Sequence, residues 1–88
     1  MTQEQADKYN KWVAAYNRVV YAENNLIKAY NCIVGAKNGL VYSYTVNGSL
    51  NDNNMLSRLM EDIMSEYKKF HNVVLPYIDN EMKKIRNS

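Results

Sequence analysis

The sequence is poor in the residues that build turns, disulfides and metal sites. Its 88 residues include only 3 glycines, 1 proline, 1 cysteine and 1 histidine. So few glycines and prolines disfavour a β-sandwich or barrel, which needs many tight turns. The single cysteine, Cys32, excludes an internal disulfide framework and a multi-cysteine metal site. The single histidine, His71, has no companion residues at a recognisable metal-ligand spacing.

Long apolar runs and a strong charge of one sign are also missing. No apolar run approaches the ~20 residues that span a bilayer, so we expect no membrane insertion. The polar N-terminus favours a cytoplasmic protein, and it leaves open export by a route that uses no cleaved signal peptide. The formal charge of +2, with acidic residues interleaved among basic ones, argues against nucleic-acid binding.

No arrangement of residues typical of catalysis is present. The sequence has no Gly-rich phosphate loop, nucleophile elbow or metal-binding motif. Glu61, Asp62 and Glu66 lie close together, but such a group is more typical of a solvated helix face than of an ion site. Cys32 lies among apolar residues and is interpreted as a buried or half-buried thiol. We therefore predict no enzyme, no cofactor or metal site and no small-molecule substrate.

Apolar residues are abundant, at 47% of the chain, and they recur at helical spacing. The first helix is predicted over residues 3–34, with Thr2 as N-cap and Gln5 completing a capping box. Its apolar residues repeat every seven positions, which is typical of helix-bundle packing, in two columns: Trp12, Val19, Leu26, Ile33 and Val13, Val20, Ile27, Val34. Glu23 interrupts a third column of tyrosines. We expect it at the edge of the stripe or paired with a cation on a neighbouring helix.

A second helix is predicted over residues 54–86. Its seven-residue columns are Leu56, Ile63, Phe70, Tyr77 and Met60, Tyr67, Val74. Pro76 lies inside this pattern and predicts a kink or a break near residues 72–75, because proline lacks an N–H and crowds the preceding turn.

Between the helices, residues 35–53 are predicted to form a long loop, since two Asn-Gly pairs bracket a stretch of aromatic and β-branched residues. An extended strand, an irregular loop and an extension of the first helix all remain open for that stretch. Leu40, Tyr42 and Tyr44 are its possible contact residues.

These segments predict one all-α domain over residues 1–88, made of two long antiparallel helices joined by the loop. Two helices cannot close a core around stripes this wide. Either the chain folds back at Pro76 or at the loop into a three- or four-element bundle, or it pairs with another hairpin. Pairing uses the full length of both stripes, so we expect a protein partner, in a homodimer or a heterodimer, and a four-helix bundle formed by that dimerisation. The residues expected at the partner interface are large apolar and aromatic side chains: Tyr9, Trp12, Tyr16, Val19, Leu26, Tyr30, Leu56, Met60, Ile63, Tyr67 and Phe70.

The short length, the two long helices and one tail motif resemble a known family. The motif is Tyr77-Ile78-Asp79-Asn80-Glu81, which has the Tyr-x-x-x-Asp/Glu spacing of a secretion signal. The chain is similar to the WXG/ESX-type helical hairpins of type VII secretion, including the small partner proteins of LXG toxins. The Trp-x-Gly turn of that family is absent, and Trp12 lies early in the first helix instead. The resemblance implies a partner or targeting protein for a secretion substrate, with Tyr77 and Glu81 as its signal.

Two other functions remain open from the residues alone. A small phage-type inhibitor of a defence system would bind a target protein through the 35–53 segment. A self-dimerising structural or regulatory bundle would need no further partner. All three are non-enzymatic protein–protein interaction modules.

Overall fold

The computed structural model of the chain describes the backbone of residues 1–47 and 51–88 and the side chains of residues 1–39 and 55–88. Over the described backbone the chain is helical and contains no strand. The sequence-based prediction of an all-α protein is confirmed for this part of the chain.

Four helical elements follow one another. Helix α1 spans Gln3–Asn47, and α2 spans Asn51–Lys69. A π-helical turn spans Phe70–Val74, and α3 spans Leu75–Arg86. The backbone angles at Lys69, Val74 and Leu75 are all right-handed helical, so α2, the π turn and α3 form one continuous arm.

The predicted capping box starts α1. The backbone N–H of Gln5 donates to Thr2 Oγ1 over 3.1 Å, and the backbone N–H of Thr2 donates to Gln5 Oε1 over 2.8 Å. Two N–H groups that a helix start leaves without intrahelical partners are therefore satisfied reciprocally. Glu4 in the first turn adds a favourable interaction with the positive end of the helix dipole.

Helix α1 is longer than predicted, which corrects the boundaries drawn from the sequence. It continues through Gly35 and Gly39 to Asn47, so residues 35–47 are helix and not loop. Gly35 directly follows the predicted end of the helix, and a glycine that ends a helix commonly has positive φ, yet neither glycine adopts such a conformation. A glycine inside a helix costs only about 1 kcal/mol relative to alanine, too little to end a helix by itself. Of the alternatives left open, extension of the first helix describes this backbone.

The π turn lies directly before Pro76, in the region where the sequence predicts an irregularity. The backbone N–H of Leu75 bonds to the carbonyl of Phe70, five residues earlier, where an α-helix would use the residue four earlier. Pro76 has no N–H to donate, and in a regular helix its ring would meet the carbonyl four residues before it. The wider π turn accommodates the proline without ending the arm, because the extra residue is absorbed within one turn.

The same extra residue shifts the apolar pattern by one position. The side chains buried in this part of the arm are Leu75 and Ile78, at 8% and 5% exposure. Leu75 lies eight residues after Tyr67, and Ile78 lies eight residues after Phe70. The seven-residue columns of the sequence place Val74 and Tyr77 at these points instead. Tyr77 is instead 59% exposed. Val74 is still partly buried, like the rest of its predicted column, but the predicted position of Tyr77 in the stripe is wrong, since a seven-residue period holds only while the helix remains α.

Contacts between the arms pair early residues with late ones. Gln5 Nε2 donates to Ser88 Oγ over 3.1 Å, and the rings of Trp12 and Tyr77 meet edge to face at 6.1 Å. Further along α1, Glu23 meets His71. The molecule measures 67 × 15 × 11 Å, so its long dimension matches the ~68 Å expected of a 45-residue helix.

Candidate protein-binding surface

The seam between the arms is only half covered by the chain itself. Among the described residues, the buried apolar side chains are Leu75 and Ile78, and none is less than 2% exposed. The eleven predicted interface residues are all partly buried, neither enclosed nor fully exposed. Their positions are Tyr9, Trp12, Tyr16, Val19, Leu26, Tyr30, Leu56, Met60, Ile63, Tyr67 and Phe70. The structure therefore gives every member of the predicted set intermediate exposure, and their role at a partner interface stays a prediction.

An open band of grooves runs along this seam; we call it the seam groove. Its central part has a volume of about 260 Å³ and an almost entirely apolar lining: Leu26, Ile27, Tyr30, Ile63, Met64 and Tyr67. A neighbouring groove of about 350 Å³ shares Tyr30 and Met64 with it and extends to Lys37 and Ser57. On the other side, Tyr67 stacks on His71 at 5.7 Å between ring centroids. His71 in turn lines a third groove of about 330 Å³ that reaches Tyr16 and Asp79.

Along α1 the seam groove extends from Tyr16 to Lys37, or ~32 Å at ~1.5 Å per residue. Ile27 on its edge keeps 43% of its surface exposed. Only the central groove is almost entirely apolar, whereas the two flanking grooves include polar or charged side chains, among them Lys37, Glu61 and Asp79.

A polar pair interrupts the seam at Glu23. This residue is only 6% exposed, and its Oε2 lies 3.3 Å from Nδ1 of His71. Its second oxygen, Oε1, is buried and has no hydrogen-bond partner among the described residues. A buried carboxylate oxygen in that condition is destabilising by about 1–3 kcal/mol or more. The expectation that Glu23 pairs with a cationic side chain on a neighbouring helix is met by His71 when the imidazole is protonated.

His71 itself was interpreted as a boundary or surface residue, and its side chain is 58% exposed. What the sequence did not reveal is its contact with Glu23. The seven-residue columns gave a signal for Glu23, a lone charge among tyrosines, but none that singled out His71 as its neighbour.

The free ends of the arms are joined by aromatic and charged contacts. The guanidinium of Arg86 lies over the ring of Tyr9 at 5.9 Å, which is a cation–π contact. The rings of Tyr77 and Trp12 are in edge-to-face contact, while most of the Tyr77 surface is exposed. Glu81, the second residue of the predicted secretion signal, pairs with Lys84 at 3.0 Å. The two residues of the predicted signal, Tyr77 and Glu81, both lie on α3.

The possible contact residues Leu40, Tyr42 and Tyr44 belong to the helical backbone of α1. Their side chains lie outside the described residues. The prediction that they belong to a contact loop is wrong for the described backbone, which is helical up to Asn47.

The described residues contain no group of three or more His, Cys, Asp or Glu side chains that could hold a metal ion. Several charged side chains pair with neighbours on their own helix: Lys69 with Glu66 and Lys83 with Asp79, each at 3.0 Å. Cys32 is exposed, which corrects the prediction of a buried or half-buried thiol. It immediately precedes Ile33, and one residue turns a helix by about 100°, away from the apolar column.

Within the described residues, no helix combines the length and apolar character needed to cross a bilayer. A scan against protein-family models and searches of the curated proteins and of the solved structures found no match to this chain.

Proposed function

We propose that this chain is a non-enzymatic protein–protein interaction module. In this proposal the chain is an antiparallel helical hairpin whose seam groove packs against a second helical hairpin, and the two hairpins form a four-helix bundle. The observation that carries the proposal is the missing core. Two arms that bury only Leu75 and Ile78 among their described apolar residues leave the rest of the stripe half exposed.

The surface area supports the same conclusion. A compact monomer of 10.3 kDa exposes about 5,400 Å². This chain exposes 6569 Å², about 1,200 Å² more than that expectation. A standard protein–protein interface buries about 800 Å² on each partner. The excess, counted over the whole elongated chain, is similar in size to one such interface.

The helical course of residues 35–47 favours binding through the seam over binding through a loop. The phage-type inhibitor depended on an exposed loop at residues 35–53, and the part of it that is described is helix up to Asn47. A role as partner or targeting protein in type VII secretion depends instead on a paired hairpin and an accessible tail motif. The 59% exposure of Tyr77 is consistent with such a motif.

The test is the oligomeric state and fold of the purified chain. We expect a helical species larger than a monomer by light scattering, or a chain that becomes soluble and helical only with its partner. Leu26→Asp places a charge in the seam groove and should abolish association and helicity together. Asn24→Asp is the matched control, because Asn24 is exposed on the same helix and receives the same charge.

A wild-type chain that is a compact, cooperatively unfolding monomer at micromolar concentration would contradict the proposal. So would a Leu26→Asp variant that stays as helical and as associated as Asn24→Asp.

A further inference from the structure

Glu23 of α1 is the one buried polar side chain among the described residues, and its contact is His71 in the π turn of the other arm. We propose that this pair selects one alignment of the two arms from several that their repeating apolar residues would otherwise allow. We call the pair the register lock. It acts within a single chain, so it does not depend on which partner covers the seam groove.

The apolar repeat of α1 does not by itself specify how the arms align. Its apolar residues recur every seven positions, so a slide of α1 by seven residues, or ~10 Å, brings one apolar side chain to the level of another. In such a slide Leu26 is exchanged for Val19 or Ile33, which are also aliphatic. The covalent connection between the arms does not prevent the slide, because the helix ends beside it can unwind or extend.

Glu23 is the member of its column that distinguishes one alignment from another. The other members of the column are Tyr9, Tyr16 and Tyr30, which can take one another's places. In the observed alignment Oε2 of Glu23 lies 3.3 Å from Nδ1 of His71, which donates to it when that nitrogen carries a proton. A buried carboxylate that loses such a donor is destabilised, so this residue cannot be exchanged for a tyrosine without cost.

A slide by seven residues in one direction moves Glu23 to the level of Tyr30. Tyr30 lines the central part of the seam groove together with Ile63 and Met64, where the lining is almost entirely apolar. The carboxylate would lose the imidazole and face apolar side chains instead. Because an ionised group without a partner is unfavourable in such surroundings, this alignment is disfavoured.

A slide in the opposite direction moves Glu23 to the level of Tyr16. Tyr16 lines a groove together with Asp79, whose carboxylate pairs with Lys83 at 3.0 Å. Two carboxylates brought to the same level repel each other, and the Lys83 ammonium is already engaged. Of the three alignments, the observed one is therefore the one that gives Glu23 a donor and avoids both penalties.

The pair specifies the alignment at a cost in stability. Oε1 of Glu23 is buried without a hydrogen-bond partner among the described residues, whereas a leucine at this position would leave no polar atom unsatisfied. Glu23 thus destabilises the observed alignment relative to an apolar residue, and it destabilises the two slid alignments more. Buried polar residues act in this way in coiled coils, where they fix register. The choice of alignment also decides which side chains line the seam groove.

Distances between two spin labels, measured by double electron–electron resonance, report the alignment directly. The labels are attached to the native Cys32, which is exposed, and to Asn80→Cys, and labelled chains are diluted with unlabelled ones. Asn80 follows Asp79, which shares a groove with Tyr16, so the labels lie ~24 Å apart along the rod. A seven-residue slide changes this separation by ~10 Å. We expect a single distance for the wild type and for the control Glu23→Gln, which keeps an acceptor oxygen.

Glu23→Leu should separate stability from alignment. Its equilibrium constant for folding, measured in urea, should rise about fivefold or more, because the unsatisfied carboxylate oxygen is removed. The same variant should show a second distance in about a tenth of the molecules or more, since the slid alignments no longer carry a penalty.

Exchanging two residues of the column moves the carboxylate and gives a result with a sign. Glu23→Tyr combined with Tyr30→Glu keeps the composition, and α1 must slide by seven residues to bring the carboxylate back to His71. The label distance should then shorten by up to ~10 Å. Glu23→Tyr combined with Tyr16→Glu requires the opposite slide, so the distance should lengthen by a similar amount.

A single, unchanged distance in Glu23→Leu overturns the register lock, because other contacts then align the arms. Exchange variants whose distance stays the same or moves in the wrong direction overturn it as well. A Glu23→Leu chain that is less stable than the wild type, or unfolded, overturns it too, since the pair is then an ordinary stabilising contact. None of these results bears on the proposed function, which is tested by the oligomeric state of the wild-type chain.

Discussion

Two isoleucines separate the stability that the chain has by itself from the stability that a partner adds. Ile78 is 5% exposed within one chain, whereas Ile27 in the seam groove is 43% exposed. Truncating a well-buried isoleucine to alanine costs about 2–5 kcal/mol. The thin molecule should relax around the gap, so we expect Ile78→Ala to cost about 2–3 kcal/mol. A chain of 88 residues has about 4–13 kcal/mol of stability in total, so this loss is readily measured.

For Ile27→Ala the expected loss has two parts. A fully buried isoleucine contributes about 1.5–3 kcal/mol, of which the single chain realises roughly half at this site. Truncation should therefore cost about 1 kcal/mol when the chain is dilute and about 1 kcal/mol more when a second hairpin covers the groove. The two variants remove the same atoms, which makes each the control for the other.

The assay is urea unfolding followed by circular dichroism at about 1 µM and about 100 µM protein. A hundredfold rise in the concentration of a binding partner stabilises the bound state by up to about 2.7 kcal/mol, so the wild-type midpoint should move upward. The deficit of Ile78→Ala should be present at both concentrations, and that of Ile27→Ala should grow with concentration. If the unfolding midpoint of the wild type and the stability deficit of Ile27→Ala are both the same at the two concentrations, the proposal that a second hairpin covers the groove is refuted. An Ile78→Ala variant that is as stable as Ile27→Ala at the lower concentration would refute the packing after the π turn.

Three further perturbations test separate features. Ile63→Asp puts a charge into the apolar lining of the seam groove and should remove helical signal and association together in gel filtration and circular dichroism; a folded monomer would contradict this. Gly35→Ala should raise the free energy of unfolding by about 0.5–1 kcal/mol, since a Cβ there meets nothing within 4 Å and the backbone is helical; a loss of stability in urea titration would argue against helix at this position. Pro76→Ala should keep the π turn and change stability by less than about 1 kcal/mol, because conversion to α-helix would rotate Leu75 and Ile78 by about 100° out of the seam. A gain near the ~3 kcal/mol expected for removing proline from a regular helix interior, seen in thermal unfolding, would show that packing does not hold the turn.

The sequence predicts those parts of the fold that depend on local chemistry. The capping box at Thr2 and Gln5 and the irregularity before Pro76 follow from hydrogen-bonding groups that neighbouring residues supply or lack. The seven-residue columns predict the partly buried residues as far as Val74. The end of α1 was mispredicted because a glycine permits a helix stop without enforcing one.

The candidate site was only half predictable for a different reason. Glu23 could be recognised as a charge within a stripe, because the stripe is periodic along one helix. Its contact with His71 depends on how the two arms align, and that alignment changes by one residue at the π turn. A repeat along the sequence of one helix does not show how far a second helix is shifted along it.

The π turn also has an evolutionary meaning. The chain absorbs one additional residue there while the helix continues on either side. A single inserted codon is thus enough to turn a different face of α3 inward, exchanging Tyr77 for Ile78 at the seam and presenting the tyrosine outward. We expect related genes to differ at this point by a gap of one position, with a change in the phase of their apolar repeat on its far side.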